Sequence, residues 1–137
     1  MKSPNERVKI LLSKNLATTA EQYDALGQNP KSPIIHSLDE WRGVLKNEGS
    51  EAVLPRCDAS VVDAFTSGLK FGRGRLAHSN YSMIVDRLSH LEFIELLGRF
   101  GLSLELFSLW DNENCVSGIC ESNPNFMCDP TVCGRSA

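Results

Sequence analysis

Ser89-His-Leu-Glu-Phe-Ile-Glu-Leu-Leu-Gly-Arg-Phe-Gly101 is the stretch on which the fold is read. Ser89 with Glu92 three residues on is a capping box. The hydroxyl accepts from one orphan amide of the first turn, and the carboxylate reaches back to another. Leu91, Ile94, Leu97 and Phe100 then recur at helical spacing, and Gly101 supplies the stop. These features together predict an amphipathic helix.

The same punctuation repeats outward from it. Downstream, Ser103 is placed to cap a short helix with Leu106, Phe107 and Trp110 inward. Upstream, Ser79 or Asn80 is read as the start of a helix through Tyr81, Ile84, Val85 and Leu88. Asp58 precedes Val61, Val62, Phe65 and Leu69. Ser37 with Glu40 opens a helix carrying Leu38, Trp41, Val44 and Leu45, which Gly49 ends. Thr18 with Glu21 begins another that stops at Gly27, ahead of Pro30 and Pro33. Ser3, Pro4 and Glu6 introduce a first one with Val8, Leu11 and Leu12. Four capping boxes and no clear alternating strand predict an all-α fold. It is a single bundle of five to seven short helices over residues 1–110, followed by an irregular Cys-rich C-terminal tail over 111–137.

One local basic spot, Lys70-Phe-Gly-Arg-Gly-Arg75, interrupts the helical pattern. It lacks the Gly-Lys-Ser/Thr of a phosphate loop and any preceding buried strand. It reads as a flexible, solvated connection, so Arg73→Ala and Arg75→Ala are expected to leave folding unchanged. A net charge of -3 supplies no basic field for nucleic acid. No run approaches the roughly 20 apolar residues of a membrane span. The first residues carry no apolar stretch of signal-peptide length, which predicts a cytoplasmic protein with reduced thiols. His36, His78 and His90 are scattered, and Asp39, Glu40 and Glu92 sit in first turns, where they complement the helix dipole. With no nucleophile motif beside them, no catalytic residue is assigned and the chain is read as a non-enzyme.

Chemistry is concentrated in the tail. Cys115-Val-Ser-Gly-Ile-Cys120 and Cys128-Asp-Pro-Thr-Val-Cys133 share one spacing, on either side of an Asn123-Pro124-Asn125 turn. From Trp110 to Cys133 the chain has no lysine or arginine, is rich in turn formers, and offers little apolar surface. Either something other than burial orders it, or it stays mobile. The leading reading makes Cys115, Cys120, Cys128 and Cys133 the ligands of a structural zinc ion, since four thiolates can close a tetrahedral site. The helical region then engages a protein partner. The runner-up is a ribosomally made precursor, with the helical region as recognition leader and the tail as the core altered by a modifying enzyme. Disulfides, with three possible connectivities, are a third reading, and free, mobile thiols a fourth. Cys57, alone between Arg56 and Asp58, reads as a buried small apolar residue and not as a ligand.

Overall fold

The computed structural model describes residues 16–133. The helix expected between Ser3 and Leu12 lies outside them. Helix α1 (Ala20–Gln28) is followed by α2 (Leu38–Glu48), the single turn α3 (Ser50–Val53) and α4 (Ala59–Ser67). A hairpin of β1 (Lys70–Gly72) and β2 (Arg75–Asn80) comes next, then α5 (His90–Arg99) and α6 (Leu104–Trp110). The chain closes with β3 (Asp111–Val116), β4 (Ile119–Cys128) and the single turn α7 (Pro130–Cys133).

The caps are where local chemistry puts them. Ser37, Asp58, Ser89 and Ser103 each accept an amide of the first turn, and Ser89–Glu92 forms the complete reciprocal box. The first described helix starts one residue later than expected, on Thr19, because Thr18 instead donates its backbone and side-chain hydrogens to Gln22. Trp41, Phe65 and Phe100 stack in one part of the core, and Tyr81, Phe93 and Phe107 in another. The Trp41 indole N–H donates to Thr66, so the buried ring leaves no polar group unsatisfied.

The all-α bundle is corrected by the sheet. Four antiparallel strands lie in the order β1-β2-β4-β3, which makes the fold mixed α and β. Two hairpin turns account for it. Arg73 and Gly74 both have positive φ, 55° and 78°, and link Gly72 to its partner Arg75. Ser117 and Gly118, at 53° and 83°, do the same between Val116 and Ile119. Two consecutive left-handed residues make the tight turn whose twist matches paired strands, so both stretches are hairpins. Residues after Asn80 are also not helical. Asn80 Oδ1 accepts from the Ser82 amide and hydroxyl, and turns carry Tyr81 and Ile84 into the core.

The tail is likewise not irregular. β4 pairs with β2 through His78↔Cys128, Ser79↔Met127 and Asn80↔Phe126. Met127 enters the main core, fully buried. The Asn123-Pro124-Asn125 segment lies within β4 as an excursion. Asp111 faces Met127 while Glu113, two residues on, faces Ser122.

Candidate functional site

Assembly of the cysteine region begins at Arg75. Its guanidinium is fully buried and donates to Asp129 Oδ2 from Nε and Nη2 at 3.2 and 3.0 Å, to Thr131 Oγ1 at 2.7 Å, and to Asp24. It also lies 5.3 Å from the Tyr23 ring centroid. Tyr23 donates its hydroxyl to Leu76 O at 2.6 Å, and burial drives its ionisation far above the usual range. Asp129, fully buried itself, accepts the Thr131 amide and hydroxyl on its other oxygen and donates its own amide to Ala77 O. Its carbonyl then accepts from Val132 and Cys133, which forms α7 and fixes where Cys133 points. The basic stretch read as a solvated loop is therefore a packed hairpin with a buried cation. Arg73, half-exposed, keeps a forked pair with Asp24 at 2.7 and 3.2 Å, and that pair holds the Asp24 carboxyl down at about 2.

The four tail cysteines form two nested disulfides, Cys115–Cys133 and Cys120–Cys128, with Cα atoms 5.7 and 5.8 Å apart. Neither bond joins the two cysteines of one sequence pair. Cys115 and Cys120 face each other across the hairpin, yet each bonds elsewhere, Cys115 to α7 and Cys120 to the end of its own strand. Eight fully extended residues would span about 26 Å. The excursion around Pro124 brings Cys120 back to Cys128. The Cys115, Cys128 and Cys133 sulfurs lie within 4.8 Å of one another, close enough to bind a metal. Their pairing at disulfide distance nonetheless favours covalent bonds over coordination. Cys120 is not in that sulfur group. Cys57 is free, buried and apart from it, and burial raises its thiol pKa.

Beside the Cys115–Cys133 bond opens a cleft of about 410 Å³, lined by Lys70 and Phe71 of β1, Ala77 and His78 of β2, Asn114 and Cys115 of β3, and Val132 and Cys133 of α7. Its roof is close. A Cβ on Gly72 would stand 2.6 Å from a methyl carbon of Val132. The His78 ring is held on both sides, with Nε2 2.6 Å from Asn114 Oδ1 and Nδ1 3.3 Å from Gly68 O, and it packs on Phe126. Reading the sequence missed Lys70, Phe71, His78, Asn114 and Val132 as a group. No local pattern links residues drawn from four elements. The single available signal was the pair of residue–glycine turns, which would have marked the hairpins.

Among the described residues no helix is long and apolar enough to cross a membrane. No protein-family model matches the chain, and neither a curated protein nor a solved structure is significantly similar to it.

Proposed function

We propose that the chain is a small non-enzymatic interaction protein that presents the turn of the β3–β4 hairpin to a protein partner, with the four tail cysteines as its fastening. The observation that carries this reading is the exposure of apolar side chains at a cross-linked tip. Val116 is 40 % and Ile119 62 % exposed, on either side of the Ser117-Gly118 turn. Most of the two strands is half-exposed or exposed, so the hairpin contributes little core of its own, and an isolated two-stranded ribbon is marginal in water. Its base is held by pairing with β2 and by Met127 in the core, its outer strand is tied to α7 by Cys115–Cys133, and Cys120–Cys128 braces β4 itself. Apolar residues at a constrained, solvent-facing turn suit an anchor for a partner's pocket. Disulfides persist in oxidising compartments, so on this reading the protein acts outside the reducing cytosol, against the cytoplasmic expectation.

The test places a photoreactive residue at position 119, and at 63 on α4 as control, in host extract. A discrete adduct at 119 alone, competed away by excess parent protein but not by the Val116→Ser/Ile119→Ser variant, supports the reading. Equal adducts at both positions refute it.

A second reading, zinc binding by the reduced chain, is favoured by the gathering of three sulfurs within 4.8 Å. Zinc–sulfur bonds of about 2.3 Å set tetrahedral sulfurs roughly 3.8 Å apart, so these three need only small shifts. Cys120, its Cα 5.8 Å from that of Cys128, is the fourth ligand in this reading. Lys70, lining the same cleft as Cys115 and Cys133, offsets part of the surplus thiolate charge. Intact mass of protein from its own host separates the states. A chain four hydrogens lighter than its reduced form supports the disulfides. One zinc mass, lost on acid denaturation, supports the metal. A covalent change confined to residues 111–137 supports the precursor reading instead.

A further inference from the structure

We propose that the Cys115–Cys133 disulfide is the entry point of a thiol–disulfide exchange relay, reached through the cleft by a small thiol that carries carboxylates. The inference rests on the disulfide reading above and goes beyond it, because it gives the cross-links a reaction as well as a fastening role.

Three features of the cleft converge on this bond. Both of its cysteines line the opening, whose volume lies within the range of small-molecule sites. Cys115 is half-buried and Cys133 buried, so an incoming thiolate meets Cys115 first and Cys133 leaves. The lining residues include one ammonium, that of Lys70, and no carboxylate. Lys70 is exposed and has no ion-pair partner among the described residues, so it favours an anionic visitor.

A further sulfur then carries the exchange onward. Cys128 Sγ lies within 4.8 Å of the Cys115 and Cys133 sulfurs and is itself half of the Cys120–Cys128 bond. In the first step the external thiolate forms a bond to Cys115 Sγ, the Cys115–Cys133 bond breaks, and the electron pair leaves on Cys133. In the second step the Cys133 thiolate bonds to Cys128, the Cys120–Cys128 bond breaks, and the pair leaves on Cys120. Cys120 is half-exposed and takes a proton from solvent. One thiol enters and one thiol emerges, two disulfides remain throughout, and no other oxidant or reductant is required. The result is a mixed disulfide on Cys115, a new Cys128–Cys133 bond and a free Cys120.

The experiment treats the oxidised full chain with reduced glutathione, which is net negative, or with cysteamine, which is net positive. It quenches early with acid and a maleimide and maps every cysteine by peptide mass. The expected map has glutathione on Cys115, a Cys128–Cys133 cross-link and maleimide on Cys120. Lys70→Glu is expected to slow the glutathione reaction about fivefold, the scale of one exposed charge pair, without slowing cysteamine. A first adduct on Cys120 with Cys115–Cys133 intact overturns the relay and leaves the disulfide reading standing. Equal slowing of both thiols by Lys70→Glu overturns the role given to the cleft. A starting mass equal to that of the fully reduced chain overturns the disulfide reading and the relay together.

Discussion

Arg75→Ala should be among the most damaging single substitutions in the chain. Removing the guanidinium leaves Asp129, which has no solvent exposure, as a buried carboxylate without its cation. Breaking a buried pair by deleting one partner typically costs about 3–5 kcal/mol, most of it the desolvation of the survivor. The contacts to Tyr23 and Thr131 go with it. Against a total stability of about 5–15 kcal/mol for a domain, such a loss is severe. Urea unfolding with the disulfides intact, followed by the fluorescence of the buried Trp41 and Trp110, measures it. With a slope of about 2 kcal/mol per molar urea, the midpoint should fall by roughly 2 M. The companion Arg75→Met/Asp129→Asn should recover more than half of the loss, because the new amide side chain keeps an oxygen for Thr131 and carries no charge. Arg73→Ala, on the half-exposed pair with Asp24, should cost no more than about 1 kcal/mol. An Arg75→Ala loss within that same 1 kcal/mol would refute the reasoning.

Three further outcomes are expected. Reduction of the disulfides closing 18- and 8-residue separations should lower stability by about 2–4 kcal/mol for each bond; an unchanged urea midpoint after phosphine treatment would show that packing alone holds the tail. Gly74→Ala should cost well over 2 kcal/mol, since its Cβ would meet Gly27 O at 2.1 Å at a φ of 78°, whereas Gly118→Ala, with nothing nearer than 3.9 Å, should cost only the roughly 1 kcal/mol of a left-handed alanine; calorimetry of the two variants checks the order. Asp24 is lowered from 3.8 to about 2, chiefly by Arg73, so its stabilisation is fully present above about pH 4 and is lost as pH falls through about 2; discounted for its partial exposure, Asp24→Asn should lie about 1 kcal/mol below the parent at pH 6 with most of that gap gone at pH 2, and a gap undiminished at pH 2 would remove the ion pair as its source.

Much of the helical part was legible from residues a few places apart. Ser89 and Glu92, or Asp58 and the Val61 amide, complete their contacts within three positions, so composition and spacing carry the answer. The chemistry of the tail was legible as a class, in that four clustered cysteines in an apolar-poor segment call for a link. The connectivity was not, because identical spacing on both sides of Pro124 carries no preference among pairings. The Lys70–Arg75 stretch was misread for a related reason. Its charge argued for solvent, and nothing within ten residues reveals that Asp129 waits 54 positions away.

Taken alone, then, the sequence determined the starts of the helices capped by Ser37, Asp58, Ser89 and Ser103, and which residues carry sulfur chemistry, since the partners that satisfy a helix N-terminus lie in its own first turn; it did not exclude a helix after Asn80, where turns stand instead. Only the tertiary structure decided that residues 70–80 and 111–128 share one sheet, that Arg75 is buried, and that Cys115 meets Cys133. Each of those contacts joins distant parts of the chain. It exists only after a long loop has closed and a core has formed around it, conditions that no local pattern of residues encodes.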